Sequence, residues 1–533
     1  MREDSFLRGV LVLTLAGLAA RALGAVYRVF LYPLLGPEGI GLFQMAYPVY
    51  STLLVLSTSG ANVALSRMVS ARLGAGKSAE VGVVFRAVLG VLAVVGVALG
   101  AALFAASPWL AGAVYREPRA APALQAVAPA VLAVVMMSAY RGLFQGYQKM
   151  HPPAVSQIVE QVVRVGTMFL LAWLLLPAGV APAAAGAAFG ATTGGAAGLV
   201  YLAWCARARP GDDAAERGAR RGGPPRGGDF LPVMREFLGQ AVPVSMTGAM
   251  FTVFTLADVV VPARLQAAGF SPEAATAWYG RLTGGAMPLV NLPSLFSASL
   301  QLALVPAVAR CLAAGDREGA ADRAATGLRF TVTLTAAAAV GLAVLAEPIC
   351  ATLYGDPKVA VALRPLAGAA LFLGLQQATA GILQGLGEVA VPLWHLGVAA
   401  VLKVVMTWYV AGQPSGVVGV AWATVAGFGL AGLLGIAAVA RRLGRVASVS
   451  DLVLRPGAAL AVMGLCLPAL YRWGQGATGS PWGGIGLGVV AGACLYLVAL
   501  LVVGGFRESD LEMLPARARF LEAWLRRSGL LRP

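Results

Sequence analysis

Histidine occurs only twice in this chain, at His151 and His395, and cysteine five times, at Cys205, Cys311, Cys350, Cys466 and Cys494. The histidines are far apart in sequence and no cysteine pair has metal-ligand spacing. A metal site is therefore not expected, and the cysteines read as isolated small core residues. The motifs of soluble catalysis are missing as well: there is no G-x-S-x-G, no zinc motif and no nucleotide site. LGAGKS at 73–78 resembles the end of a P-loop, but Ala71 stands where the leading glycine belongs. It also follows a membrane-type helix rather than a strand, so the context for phosphate cradling is absent.

Charge is scarce too. Only 12% of residues are Asp, Glu, Lys or Arg, against 59% hydrophobic and a mean hydropathy of +0.77. Apolar runs long enough to span a bilayer recur from end to end, which excludes a set of soluble domains. The fold class expected is an all-α polytopic membrane protein. The opening MREDSFLRGVLVLTLAGLAARALG reads as a first transmembrane helix rather than a cleaved signal. Its apolar stretch is interrupted by Arg21 and leads straight into further spans.

The pattern predicts about fourteen transmembrane helices, beginning with 6–35 and 38–66 and including 231–262. An even number places both termini on one side. With the termini cytoplasmic, the outer loops hold only Arg116, Arg119, Arg264, Arg281, Lys358 and Arg472, out of 40 basic residues. This bias toward the inside orients the protein in the cell membrane and explains the net charge of +16 without a nucleic-acid partner.

The chain repeats itself. GLFQG at 142–146 returns as GILQG at 381–385, an offset of 239. The same offset pairs Leu65 with Leu304, Gly76 with Gly315, Tyr115 with Tyr354, Pro118 with Pro357, Pro153 with Pro392, and Arg164 with Lys403. The expected organisation is a six-helix lobe at 1–206, a cytoplasmic linker at 207–230 and a second six-helix lobe at 231–445. Two helices without a counterpart follow at 446–505, then an amphipathic cytoplasmic tail at 506–533. Two repeats of even helix number sit the same way up, with a site expected between them near mid-depth, the arrangement of a transporter.

Charges inside the spans are then the candidates for function. Arg21 and Arg28, seven apart, share one face of the first helix; Arg141, Arg164 and Lys403 lie in later spans, and the acids similarly placed are Glu160 and Asp258. A charge at the bilayer centre costs roughly 2.5–3.5 kcal/mol, so five cations facing lipid would cost on the order of 10–15 kcal/mol, as much as a whole protein's stability. They are expected to face a wet interior. Glu160 and Arg164, four apart, can pair as a coupling element or as a structural clasp. Arg141 either joins the cavity or snorkels to the inner surface, and Arg86, Arg235, Arg329 and Arg364 read as snorkelling. An excess of arginine suits an anionic group, above all a phosphate or pyrophosphate gripped bidentately.

Two further features concern packing. Gly186, Gly190, Gly194 and Gly198 form a stripe on the sixth helix that favours close approach to a neighbour, or a sliding surface. Pro48, Pro288 and Pro293 are expected to bend the second and eighth helices.

Three blocks, LGAVYRVFLYPLLGPEGIGLFQMAYPVY, RGLFQGYQKMHPPAVSQIVEQVVRV and MPLVNLPSLFSASLQLALVPAVA, resemble the SpoVB-type, MurJ-like branch of the MATE-like (MOP) flippase superfamily. The resemblance runs over most of residues 6–445. It implies a two-lobed bundle working by alternating access. Its implied cargo is an undecaprenyl-pyrophosphate-linked saccharide, foremost the peptidoglycan precursor lipid II, carried from inner to outer leaflet. Membrane lipids and cell-wall synthesis proteins are the implied partners, and no cofactor is implied. In MurJ-type proteins arginines of the first helix line the cavity, a role that carries over to Arg21 and Arg28 around Gly24. Those of Gram-negative type have further arginines in the second helix, whereas YPVYSTLLVLS here is uncharged.

The alternatives are a cation-coupled multidrug exporter of the same superfamily, or a flippase for teichoic-acid or exopolysaccharide units. An exporter of cationic drugs would favour acids in its cavity. A membrane glycosyltransferase would need catalytic acids in sizeable outer loops, which offer only Glu117, Glu273, Glu347 and Asp356. The sequence does not distinguish protons from sodium as a coupling ion.

Overall fold

The first structural event is a change of direction at Gly36, with φ 66° and ψ 175° inside the long helix α1 (Arg2–Gly74). A side chain there would strain a backbone that only glycine adopts freely, so the helical run breaks and turns at this one residue. The structure, a computed structural model, describes residues 2–208, 227–413, 415–444, 448 and 450–505; for 2–16, 18–22, 25, 26, 227–229 and 247–251 it describes the backbone alone. The expected linker thus falls largely, and the expected tail wholly, outside the described residues.

The chain divides into two compact units, Met1–Gly280 and Arg281–Pro533. In the first, α1 packs against α3 (Ala121–Gly146), α4 (His151–Leu175), α5 (Val180–Ala208) and α6 (Gly227–Leu256). Helix α2 (Ser78–Trp109) packs on α3, and α5 lies against both α3 and α4. The short helices α7 (Val261–Ala267) and α8 (Pro272–Gly280) complete this unit. A bidentate pair ties α1 to α6, Arg72 donating to both carboxylate oxygens of Glu236 at 3.2 and 2.7 Å.

The second unit is built from α9 (Met287–Ala313), α10 (Arg317–Val344), α11 (Ala346–Tyr354), α12 (Val359–Leu366), α13 (Gly368–Gly385), α14 (Ala390–Val410) and α15 (Gly416–Leu443). Its core joins Leu304 and Val308 of α9, Leu328 and Val332 of α10, Ile382 and Leu383 of α13 and Val439 of α15. The last pair, α16 (Arg455–Thr478) and α17 (Pro481–Val502), attaches through Met463, Tyr496 and Leu500 to Ala337 and Val340 of α10. Arg455 closes this hairpin by donating to Asp451 at 2.6 Å and to the carbonyl of Gly504 at 3.0 Å.

The 239-residue repeat governs where helices begin and end. Helix α1 ends at Gly74 and α9 at Ala313; α2 begins at Ser78 and α10 at Arg317. Helix α3 ends at Gly146 and α13 at Gly385; α4 begins at His151 and α14 at Ala390. The turns repeat as well, with left-handed residues at Gly76 and Gly315, Arg116 and Gly355, and Gln148 and Gly387. Such coincidence of caps and turns follows when two copies of one topology obey the same packing.

Among the described residues eleven helices are long and apolar enough to cross a membrane, or twelve if α12 and α13, bent by 42°, form one span. Of the fourteen expected, the two outside this tally, 6–35 and 231–262, include residues of which only the backbone is described. The boundary expected between 6–35 and 38–66 coincides with the kink at Gly36, and residues 231–262 run without a gap through α6, a 3-10 turn at Ala257–Val260 and the start of α7. Large apolar side chains such as Leu465, Trp394 and Leu302 stand 74–82% exposed, as lipid-facing residues do when the bilayer replaces water as solvent. Pro288 stands where the π-helical stretch Arg281–Ala286 passes without a gap into α9, so it lies inside a continuous helical run. Arg329, expected to snorkel, is only 6% exposed and donates to Thr326 at 3.0 Å within the unit's interior.

Candidate functional site

The polar stretch that opens α4 brings a serine, an acid and an arginine to one helix face: Ser156, Glu160 and Arg164, at successive four-residue steps. Arg141 reaches them from the end of α3. Its Nη2 donates to Glu160 Oε2 at 2.9 Å and its Nε to Ser156 Oγ at 3.1 Å. Arg164 donates through Nη2 to the other oxygen, Oε1, of the same carboxylate. One acid therefore bridges two guanidiniums, and the three charged side chains are 15–18% exposed rather than sealed. Arg141 does not snorkel; it turns inward to the acid.

The glycine stripe on α5 makes this possible. A Cβ at Gly194 would lie 2.6 Å from the carbonyl oxygen of Glu160 and 2.7 Å from Cβ of Arg164. One at Gly190 would lie 2.7 Å from the Arg164 carbonyl, and one at Gly198 would meet Met137 of α3 at 2.6 Å. The backbones of α4 and α5 touch where the charged residues leave the helix, so the stripe sets the height of the cluster.

Aromatic residues of α1 line the same region. Tyr27, Tyr47 and Tyr50 are electrostatic neighbours of Arg164. Tyr47 and Tyr50 meet edge to face at 6.3 Å, and the Arg28 guanidinium lies 5.7 Å from the centre of the Tyr27 ring. Gly24 faces α4, its missing Cβ 3.4 Å from Gln161 Nε2. Arg28, one turn on, thus enters from the helix that packs on α4; the side chain of Arg21 lies outside the described set.

Two other candidates stand on other elements. Asp258 stands in the 3-10 turn that follows α6. Lys403 belongs to α14 of the second unit and is fully enclosed by protein, at 0% exposure. The repeat partners of Arg141, Ser156 and Glu160 are Ala380, His395 and Ala399, so the charged bridge exists in one repeat only. Sequence reasoning found the Glu160–Arg164 pair through its spacing. It missed Ser156 and the tyrosines, whose one signal was the helical step from Ser156 to Glu160.

The second unit offers a different surface. A cavity of about 400 Å³ is lined by Leu292 and Phe296 of α9, Leu334 and Leu342 of α10, Met463 of α16 and Val489 of α17. It is apolar throughout, and the helices without a repeat counterpart form one wall.

Known proteins agree with this architecture. A family model described as "Polysaccharide biosynthesis protein" matches residues 6–312, and one described as "MatE" matches 243–409. Stage V sporulation protein B of Bacillus subtilis (strain 168) is 30% identical, covering 98% of this chain and 100% of its own length. Lipid II flippase MurJ of the same organism is 26% identical over 76% of this chain and 77% of its own. An inward-facing multidrug resistance MATE family transporter of the MOP superfamily superposes with a TM-score of 0.67 at 15% identity, covering 80% of this chain and 95% of that one. The inward closed conformation of lipid II flippase MurJ gives 0.66 at 15%, covering 92% and 98%. The protein is thus a multi-pass membrane transporter of the flippase type within the MOP superfamily, not an enzyme. Within that class the chain belongs to the polysaccharide biosynthesis protein family, in its SpoVB- and MurJ-like branch.

Proposed function

We propose that the cargo is an undecaprenyl-pyrophosphate-linked saccharide, foremost the peptidoglycan precursor lipid II, moved from the inner to the outer leaflet by alternating access. The observation that carries this reading is the cluster of Arg141 and Arg164 on a single carboxylate, with Arg28 against Tyr27, a neighbour of Arg164. Two arginines on one acid leave a net positive site, and a pyrophosphate offers several oxygens to planar guanidinium forks. The apolar cavity of the second unit suits a prenyl chain, which needs no polar partner. The relative named as a lipid II flippase supports the same cargo.

The repeat and the distribution of arginine support two lobes at 1–206 and 231–445, a linker at 207–230, helices of 446–505 and a tail at 506–533, with both termini cytoplasmic. Cell-wall synthesis proteins that consume the delivered saccharide are the partners this role calls for. A second reading, another lipid-linked glycan such as a teichoic-acid or exopolysaccharide unit, is favoured by the family's description as a polysaccharide biosynthesis protein. A drug exporter is disfavoured: Glu160, the acid of the site, is already engaged by two arginines and has no charge left for a cationic drug.

The test is outer-leaflet accessibility of lipid II in cells whose own flippase is switched off. Rescue by the intact chain and not by Arg28→Ala supports the reading. An expressed, membrane-inserted chain that restores nothing moves the second reading to the front.

A further inference from the structure

We propose that Glu160 is a resident counter-anion, holding the place of the cargo's phosphate on Arg141 and Arg164 until a headgroup displaces it. This rests on the reading that the first unit binds an anionic headgroup.

The donors around Glu160 outnumber what a carboxylate takes up. Each Glu160 oxygen accepts from one arginine Nη2. Arg164 Nε and the Tyr50 hydroxyl are buried nearby without a hydrogen-bond partner, Tyr50 being 2% exposed and an electrostatic neighbour of Arg164. Buried donors are nearly always satisfied in a finished site. A phosphate group carries more acceptor oxygens than a carboxylate, and its tetrahedral shape can reach Arg141, both faces of the Arg164 fork and Tyr50 together.

The fold itself does not require the acid. At the equivalent position of the second repeat stands Ala399, while the cation is kept as Lys403. The α4–α5 contact is made by the backbone of Glu160 and Arg164 at Gly194, not by the carboxylate. The cluster also remains 15–18% exposed, so an incoming anion has a surface to attack. A carboxylate in this role sets a threshold: zwitterionic lipids do not displace it, and a strongly anionic headgroup does.

The experiment measures pyrophosphate binding to the purified full chain in nanodiscs, for wild type and Glu160→Gln, with thermal stability followed in parallel. If Glu160 occupies the arginines more than nine-tenths of the time, removing its charge tightens binding about tenfold. Stability moves the other way, because two buried cations lose their partner. A purely structural clasp would lower both. Glu160→Asp serves if the glutamine variant folds poorly. It keeps the charge but is one methylene short of bridging both arginines, and binding should again tighten.

Wild-type binding with equal or weaker binding by both variants overturns the proposal alone. Absence of binding by every folded form overturns it together with the headgroup reading. The same gain is expected with undecaprenyl pyrophosphate carried in the nanodisc; a gain with the free ion alone would make this a site for soluble phosphate and contradict the lipid-borne displacement proposed.

Discussion

Tyr115 and Tyr354, 239 residues apart, make equivalent hydrogen bonds. The first donates its phenol to the carbonyl of Met45 at 2.6 Å, the second to that of Gly285 at 3.1 Å. Both are buried, and each is followed by a left-handed residue, an acid and a proline. The acids repeat their role as well. Glu117 accepts from the backbone N–H of Arg119 at 3.4 Å and Asp356 from that of Lys358 at 3.0 Å. Duplication has preserved a whole turn, hydrogen bonds included, while the charged cluster on α4 was kept or acquired in one copy only.

The turn predicts its own improvement. Arg116 holds φ 53° where its counterpart Gly355 holds φ 67°. A side chain in this region costs roughly 1–2 kcal/mol, partly offset by the greater freedom of glycine in the unfolded chain. Arg116→Gly is expected to raise stability by up to about 1 kcal/mol, read as a higher unfolding midpoint in detergent.

Glu117 should make its turn sensitive to acid. Burial alone would raise its pKa, but hydrogen bonds from Arg119 and Thr276 outweigh this and hold it below the ordinary 4.5. Between the depressed value and the ordinary one, the unfolded chain binds a proton that the folded chain does not. Stability from this group is therefore complete above about pH 4.5 and lost as pH falls through the depressed value. Unfolding midpoints of wild type should drop across this window, and those of Glu117→Gln should drop less.

Helix spacing around the site is set by glycine. Gly194→Ala would place a methyl 2.6 Å from the Glu160 carbonyl and force α4 and α5 apart. A loss of about 1–3 kcal/mol in stability is expected, with a matching loss of pyrophosphate binding. Gly239→Ala, where a Cβ meets nothing within 4 Å, should be neutral or stabilising by about 0.5–1 kcal/mol in the same assays.

The two halves of the cargo should separate experimentally. Ala493→Trp fills the apolar cavity of the second unit. Translocation of a lipid with a full prenyl chain is expected to fall at least tenfold, while pyrophosphate binding stays within twofold of wild type. Equal losses in both would mean that the substitution disturbs the fold instead.

Much of this is legible in the sequence, and the limits have physical causes. The offset of 239 is visible in single residues, and it fixes helix ends because caps and turns are local. Glu160 and Arg164 pair from spacing for the same reason. Arg141, Tyr27 and Tyr50 come from other helices, and no local pattern reports which face a distant helix will present. The break between the first two helices is legible at Gly36, because its backbone at φ 66° is open to glycine and strained for other residues. Arg329 defeats the snorkelling expectation because a basic residue near a helix end looks the same whether it snorkels or turns inward to a threonine.

The most direct test of the central claim is translocation of fluorescent lipid II in proteoliposomes containing the purified chain, compared with Arg164→Ala. Translocation by wild type is predicted, with a loss of at least tenfold in the folded variant. Equal rates for the two would contradict the claim, since the arginine that grips the pyrophosphate would then be dispensable.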